Sequence, residues 1–173
     1  MGSEMCIRDS VWIGANVALA LAGSGRRVLL VDGRMGERFG VPVEEAPDTP
    51  GLYDVLLGAE LESALSPGPV DLLQVLPAGT YGDTSIPELI GQRFMSVMDS
   101  AATGFDNVVV IGPPLDVCDD SRVMAVDSSI VLAVVEGSVS AAALRAHADR
   151  VRALGARLLG VVLVGKRSER TAA

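Results

Sequence analysis

Carboxylates are the most numerous side chains in this chain that could carry acid–base or cation chemistry. Asp32 ends a short apolar run, and Asp119 and Asp120 follow a later one. A carboxylate at the end of a strand either helps to hold a cation or caps the turn that follows. Histidine and lysine, the usual partners of such carboxylates, each occur once, as His147 and Lys166. Proton transfer by histidine and phosphate binding by lysine therefore have few candidate residues.

The sequence lacks the residues that a catalytic triad or a structural zinc site requires. His147 stands between two alanines in a predicted helix, and the sequence contains no Gly-x-Ser-x-Gly turn. Two cysteines and one histidine cannot supply the four ligands of a structural zinc site. We therefore predict no metal site, and we interpret Cys118 as a reduced thiol of a cytoplasmic domain.

The length and composition fit one globular domain. The 173 residues are 49% hydrophobic and 21% charged, which is typical of folded chains. A net charge of −8 and an aromatic content of 3% argue against phosphate-backbone contacts and base stacking, so we expect no nucleic-acid partner. Apolar runs such as 158–164 are too short to cross a bilayer.

Short apolar runs alternate along the chain with segments of helical periodicity. Apolar runs without polar alternation, such as VLLVD, are typical of buried parallel strands, and a spacing of three to four residues indicates helices with one buried face. We predict strands at 28–32, 71–76, 107–111, 129–135 and 158–164, and helices at 11–23, 51–58, 60–65, 86–102, 119–126 and 138–154. This order predicts an α/β fold, a parallel sheet with helices on both faces, whose ligands bind beyond the carboxyl ends of the strands.

The first ten residues, MGSEMCIRDS, match none of the patterns that follow. They are similar to the translation of a transposase adapter used in sequencing libraries, and the alternative is a genuine leader. We expect residues 1–10 to be a non-native leader, 11–167 to be the α/β domain and 168–173 to be a polar tail. On this interpretation the chain is a fragment whose natural sequence starts further upstream.

The order of several segments resembles a known family. ANVALALAGSGRRVLLVDGR is similar to the first helix and second strand of MinD/ParA-type P-loop ATPases. The segments GLYDVLLG, LLQVLPAG, FDNVVVIGPPLDVCDD and RALGARLLGVVLV narrow the resemblance to the cytoplasmic domain of bacterial tyrosine kinases of the capsular and exopolysaccharide type. The resemblance covers about residues 13–167. It implies a P-loop NTPase fold of the MinD/ParA type, with ATP or ADP and Mg²⁺ as the cofactor.

The resemblance implies a Gly-rich phosphate loop with a lysine and a hydroxyl residue, directly ahead of the first helix. Ser10 stands where the lysine belongs, and Val11 and Trp12 stand at the hydroxyl positions. Valine and tryptophan offer no oxygen to Mg²⁺, so we expect the phosphate loop to be missing. The family's central first strand is missing too unless residues 4–9 form it, which predicts a poorly soluble or loosely folded chain.

Two acidic elements that the resemblance implies are altered as well. At the end of the second strand Asp32 matches the first aspartate of a DxD-type element, and Arg34 replaces the second. An aspartate ahead of a Thr-Pro-Pro turn helps to hold the metal in the family, and here Ile111 takes its place. Isoleucine cannot coordinate a cation. A helper carboxylate from Asp116 or its neighbours is the alternative to a purely structural acidic turn.

A reduced set of site residues follows from the resemblance. We expect Asp32 to be the catalytic residue, and Asp32, Pro113, Pro114 and Gly165 to bind the cofactor. The tyrosine cluster that relatives carry in their C-terminal tail is absent from this chain, since neither of its two tyrosines, Tyr53 and Tyr81, lies in the tail.

Three functions fit these observations. The first is a degenerate tyrosine-kinase or ParA-type domain that has lost efficient phosphoryl transfer and regulates exopolysaccharide length or export. The second is an active ATP-binding autokinase or ATPase whose phosphate loop was lost by truncation. The third is a MinD/ParA-like positioning or partner-binding module. The resemblance implies a membrane-spanning chain-length regulator as partner, fused upstream or separate, leaves a homo-oligomer open, and implies a cytoplasmic location at the inner face of the membrane.

Overall fold

Helices and strands alternate along the chain, as the periodicity predicts. The computed structural model describes residues 3–34, 49–79, 86–113, 120–126, 128–135 and 139–165. The α-helices are α1 (Ser3–Gly23), α2 (Leu52–Leu57), α3 (Ile86–Gly104), α4 (Asp120–Ala125) and α5 (Ala141–Ala153), and a 3₁₀ helix spans Leu61–Ala64. The strands are β1 (Val28–Asp32), β2 (Ser66–Pro67), β3 (Leu73–Leu76), β4 (Asn107–Ile111), β5 (Ser129–Val135) and β6 (Arg157–Val164).

Two compact units divide the chain. The first unit is Ser10–Met124, and the second unit is Met1–Asp9 together with Ala125–Ala173. The first unit contains a sheet of strand order β2-β3-β1-β4, and the second contains the pair β5-β6. The five predicted strands are all present. β2 is additional, because two residues that include a proline carry no periodic signal.

The first sheet brings three strand ends together. β1 runs parallel to β3 on one side and to β4 on the other, while β2 pairs antiparallel with β3. The register places Val31 beside Leu76 and Asp32 beside Ile111. The carboxyl ends of β1, β3 and β4 therefore lie side by side, at the edge where such sheets bind ligands.

The apolar run of β1 forms the centre of the first unit. All five of its residues are buried. Leu29 and Val31 pack on one face of the sheet with a cluster that includes Leu56 and Phe94, and the opposite face packs against α1. Full burial of each such side chain contributes about 1.5–3 kcal/mol. The prediction of a parallel α/β sheet with helices on both faces is confirmed for this sheet.

Small residues allow α1 to lie close to the first sheet. Ala18 and Ala22 are buried against Val28 and Leu30, and Ser10–Gly23 contains no charged residue. The helix ends at Gly23, and Gly25 follows with a φ of +85°, as the glycines predict. It begins at Ser3 rather than at the predicted residue 11, so residues 4–9 are helical and do not supply the family's first strand, which we expect to be missing. The prediction that the chain is loosely folded is untested by these contacts, and a thermal melt would test it.

The second unit is built on the parallel pair of β5 and β6, in which seven residue pairs lie opposite each other and the register shifts once, between Ile130 and Val131. Ser140 caps α5, since its Oγ accepts a hydrogen bond from the backbone N–H of Ala143 at 3.2 Å. Val151 of α5 is fully buried. Gly155 then takes a φ of +79° and leads the chain into β6.

Candidate functional site

The carboxyl end of β1 lies beside the carboxyl end of β4. The backbone N–H of Gly33 donates to the carbonyl oxygen of Ile111 at 2.9 Å. A Cβ atom at Gly33 would lie 3.0 Å from that oxygen and 3.1 Å from Sδ of Met124. Close approach therefore favours glycine at this position, because a side chain would have to displace its neighbours by a few tenths of an ångström.

Asp32 is held by an arginine two residues further along. The backbone N–H and Nε of Arg34 donate to Oδ1 of Asp32 at 3.1 and 2.9 Å, and Nη2 donates to Oδ2 at 2.7 Å. The side chains are 0% exposed for Arg34 and 1% for Asp32. Both carboxylate oxygens thus accept charge-assisted hydrogen bonds in a fork geometry that aspartate and arginine form especially well. The negative charge of Asp32 is neutralised within its own turn.

Ile111, the cross-strand neighbour of Asp32, is buried among apolar side chains. Its side chain is 3% exposed and belongs to the apolar cluster between α1 and the first sheet. A Cβ atom at Gly14 of α1 would lie 2.6 Å from Cγ1 of Ile111, so the helix backbone rests against this side chain. The position at which the resemblance implies a metal-binding aspartate is therefore filled by packed aliphatic carbon.

The residues aligned with the phosphate loop lie inside α1. Ser10, Val11 and Trp12 are helical, and the backbone N–H groups in the interior of a helix are bonded to carbonyls four residues earlier. The Nδ2 group of Asn16 donates to the carbonyl of Trp12 at 2.7 Å, and the Trp12 side chain is 66% exposed. These amides cannot cradle a phosphate in this conformation.

Two motifs that carry the resemblance contact each other at the end of β3. The N–H groups of Leu52 and Tyr53, at the start of α2, donate to the carbonyls of Pro77 and Ala78 at 2.7 and 3.0 Å. The carboxylate of Asp54 accepts from the N–H of Gly51 at 2.8 Å. The segments GLYD and PAG are therefore joined by hydrogen bonds. The first backbone N–H groups of α2 donate to residues 77 and 78, so they are not available to a ligand.

The other expected site residues are more scattered. Pro113 is half-buried just after β4, and Pro114 lies outside the described residues. Gly165 is exposed at the end of β6, in the second unit. The described strand ends thus bring Asp32 and Ile111 together within the first unit. Tyr53 is 3% exposed, while Tyr81 falls in a part of the chain that the structure does not describe.

A magnesium–nucleotide does not fit the described site residues. Both oxygens of Asp32 are bonded to Arg34, and Ile111 offers no donor atom. Across the described segments, no three or more His, Cys, Asp and Glu side chains cluster closely enough to hold a metal ion. Sequence reasoning treated Arg34 as a lost aspartate and missed that it pairs with Asp32. The signal was an Asp-x-Arg spacing directly after a buried strand.

A second arginine–aspartate pair lies at the opposite end of β1. The backbone N–H and Nη2 of Arg27 donate to Oδ2 and Oδ1 of Asp106 at 2.8 and 2.9 Å, and the side chains are 55% and 33% exposed. The hydrogen bond from Arg27 lowers the pKa of Asp106 and raises the pKa of Arg27. A groove of about 630 Å³ adjoins this pair, lined in part by Leu61, Leu73 and Phe105.

No described helix combines the length and apolarity that crossing a bilayer requires.

Known proteins resemble this chain over much of its length. No protein-family model matches it. EpsB of Ralstonia solanacearum, a tyrosine-protein kinase by name, is 28% identical over 124 residues, which are 71% of this chain and 16% of EpsB. Tyrosine-protein kinase Wzc of Salmonella typhimurium is 24% identical over 130 residues, which are 75% of this chain and 18% of Wzc. The chain thus spans about one sixth of the length of these relatives.

Solved structures share the fold. The chimerical protein CapA2B2 superposes with a TM-score of 0.76 and 26% identity, over 91% of this chain and 70% of that one. The BceF tyrosine kinase domain gives a TM-score of 0.71 and 28% identity, over 90% and 63%. MinD of Pyrococcus horikoshii, solved with Mg-ADP, gives 0.63 and 23%, over 94% and 68%, and supports the fold alone. The predicted resemblance to bacterial tyrosine-kinase domains and the MinD/ParA-like fold class are confirmed.

Proposed function

We propose that this chain, similar to bacterial tyrosine-kinase domains, is a degenerate member that serves a regulatory or structural role in exopolysaccharide or capsule biosynthesis. The buried pair of Asp32 and Arg34 carries the proposal. Phosphoryl transfer of this type needs a cation held beside the phosphates by free carboxylate oxygens. Here both oxygens of the surviving aspartate accept hydrogen bonds from a fully buried guanidinium.

The second altered position supports the same proposal independently. Ile111 packs beneath Gly14 within an apolar cluster, so the helix and the strand are adapted to each other at this point. Ile111 and Arg34 both lie within the described core of the first unit. A phosphate loop supplied from upstream sequence would restore neither of the two carboxylates. The assignment of Asp32 as a catalytic residue stays a prediction that the experiments below test.

The same positions weigh against the alternative of an active autokinase. An active enzyme would require a substitute acid elsewhere. We expect Ile111→Asp to destabilise the first unit, because it places a carboxylate against aliphatic side chains and the backbone of Gly14. Thermal melting of the variant, with Ile111→Val as the matched control, measures this packing, and phosphate release from Mg·ATP by the native full-length protein distinguishes the two functions.

We infer the cellular role from the similarity to bacterial tyrosine-kinase domains, since no binding site in the described residues indicates it. We propose that its partner is a membrane-spanning regulator of polysaccharide chain length, fused upstream or separate, that it works at the inner face of the membrane, and that it forms homo-oligomers. The similarity to EpsB and Wzc, of which this chain matches about one sixth, supports this proposal.

The function is tested in the bacterium that encodes the protein, by measuring the length distribution of its exopolysaccharide. The full-length protein is compared with a deletion and with Asp32→Leu/Arg34→Met, which replaces the ion pair by hydrocarbon. Protein level and circular dichroism establish that the double variant folds. We expect the deletion to change polysaccharide length and the folded double variant to retain the native distribution. A folded double variant that behaves like the deletion contradicts the proposal.

A further inference from the structure

We infer that the guanidinium of Arg34 occupies the place of a divalent cation at Asp32, so that this strand end is closed to Mg²⁺ and Mn²⁺ while the arginine is present. The inference deepens the proposed function and rests on it for its bearing on phosphoryl transfer. It concerns the hydrogen bonds from Arg34 to Asp32 within one described turn.

Competition for the carboxylate oxygens is the first step. The guanidinium takes Oδ1 at 2.9 Å and Oδ2 at 2.7 Å, and the Arg34 backbone N–H adds a third bond to Oδ1 at 3.1 Å. A magnesium ion bonds to a carboxylate oxygen at about 2.0–2.1 Å. An ion at that distance cannot share the oxygen face that the guanidinium covers. The three hydrogen bonds leave one lone-pair site of the carboxylate, on Oδ2, and a cation there would lie beside the positive charge of the guanidinium, which repels it.

Burial is the second step. Arg34 and Asp32 are 0% and 1% exposed in their side chains, and β1 is buried along its whole length. Mg²⁺ dehydrates reluctantly and usually keeps several waters in its shell. A partly hydrated ion needs water and space next to the carboxylate, and the side chains of Asp32 and Arg34 have almost no contact with solvent. The turn accommodates a flat guanidinium, and a hydrated ion would have to displace it.

Charge balance is the third step, and it makes the inference testable. Deletion of the guanidinium leaves a carboxylate enclosed without a counter-charge, which is costly in a protein interior. A small cation that enters the vacated space would restore neutrality. We therefore expect Arg34→Ala to acquire a cation dependence that the native chain lacks. A purely steric or packing role for Arg34 would not produce such a gain.

The experiment measures Mn²⁺ binding by electron paramagnetic resonance, since the signal of free aqueous Mn²⁺ falls when the ion binds. The chains compared are native, Arg34→Ala, Arg34→Gln, Asp32→Asn/Arg34→Ala and Arg27→Ala. Arg27→Ala is the matched control, because it removes an arginine from the exposed pair with Asp106. Thermal unfolding with and without Mn²⁺ is followed in parallel, because a ligand that binds the folded chain raises its melting temperature.

We expect no binding that depends on Asp32 in the native chain or in Arg27→Ala. Arg34→Ala and Arg34→Gln should gain at least about tenfold in Mn²⁺ affinity, with a rise in melting temperature that Asp32→Asn/Arg34→Ala abolishes. If Arg34→Ala folds only when Mn²⁺ is added, that result supports the inference, and Arg34→Gln provides the affinity.

Two results overturn the inference. One is Mn²⁺ binding by the native chain that disappears in a folded Asp32→Asn variant. The other is the absence of any gain in both Arg34→Ala and Arg34→Gln while Arg34→Gln is folded. Neither result decides the polysaccharide experiment above. The proposed function and this inference therefore fail separately.

Discussion

Two arginine–aspartate pairs mark the two ends of β1, and they differ most in environment. Arg27 donates its backbone N–H and one guanidinium N–H to Asp106, and Arg34 donates its backbone N–H and two guanidinium N–H groups to Asp32, with guanidinium distances of 2.7–2.9 Å. The pair of Arg27 and Asp106 is open to water, with side chains 55% and 33% exposed. The pair of Arg34 and Asp32 is enclosed.

This difference explains what each pair does. Water screens the exposed pair and competes for its hydrogen bonds, so the Arg27–Asp106 contact joins the starts of β1 and β4 at little energetic gain. The enclosed pair has no water to replace a lost partner, so each of its residues depends on the other. The enclosed position is also where relatives are expected to hold a cation. The comparison therefore assigns Arg34 the role of a permanent counter-charge.

The largest expected effect is at the enclosed pair. Arg34→Ala should lower the free energy of unfolding by about 3–5 kcal/mol, because it leaves a buried carboxylate without a partner. Asp32→Leu/Arg34→Met should remain near native stability or exceed it by about 1–4 kcal/mol, since it removes both charges. Urea unfolding in buffer with chelator measures both. A loss below about 1 kcal/mol in Arg34→Ala would show that the pair is screened like a surface pair.

The next effect concerns the contact beside that pair. Gly14→Ala should destabilise the chain by about 1–3 kcal/mol through overpacking against Ile111, an effect that the higher helix propensity of alanine reduces. Shortening the neighbour in Gly14→Ala/Ile111→Val should recover much of the loss. Gly91→Ala is the matched control, because a Cβ atom at exposed Gly91 in α3 meets nothing within 4 Å. Equal changes in the free energy of unfolding for Gly14→Ala and Gly91→Ala, measured in urea, would contradict overpacking against Ile111.

A smaller effect is expected near the start of β1, at the end that carries the exposed arginine–aspartate pair. Leu72 has a φ of +66°, and its carbonyl accepts the Val28 N–H at 2.7 Å. Leu72→Asn should stabilise the chain by about 0.5–1 kcal/mol, since asparagine tolerates this left-handed conformation better than leucine. Leu57→Asn is the control, as Leu57 is equally exposed at 49% but lies in α2. A comparable gain in thermal stability for both variants would exclude backbone strain as the cause.

The smallest effect is expected at the exposed pair itself. Arg27 lowers the pKa of Asp106 in the folded chain, so the stabilisation that this pair adds is present above the unfolded-state pKa of aspartate. It is lost as the pH falls through the lower folded-state pKa. Asp106→Asn should therefore melt slightly below the native chain at neutral pH and together with it in strong acid. High salt should narrow the neutral-pH difference. A difference that grows in acid would reverse the sign and contradict this assignment.

The sequence predicts the strands of this chain well, and it predicts the site less completely. Apolar runs such as VLLVD have no stable place except a buried strand, so local pattern determines their structure. The pairing of Arg34 with Asp32 depends on the turn at Gly33 and on its contact with β4, which join residues distant in sequence. β2 escaped prediction because two residues that include a proline carry no periodic signal.

The motif GLYD illustrates the same limit. Its resemblance to relatives is visible in the sequence, but its purpose appears only when the N–H groups of Leu52 and Tyr53 are seen bonded to Pro77 and Ala78. Helix α1 is a further case, since its alanines predict a helix over 11–23 and give no signal for its start at Ser3. Local periodicity thus predicts elements, while their ends and contacts depend on the assembled fold.

The most direct test is the release of γ-phosphate from Mg·ATP by the full-length natural protein. It is compared with the folded Asp32→Leu/Arg34→Met variant, in which the strand end has no carboxylate. We predict that the native protein releases phosphate no faster than this variant, because Arg34 already withholds the carboxylate from any cation. Magnesium-dependent turnover by the native protein that the variant lacks would show that Asp32 acts in catalysis and would contradict the account.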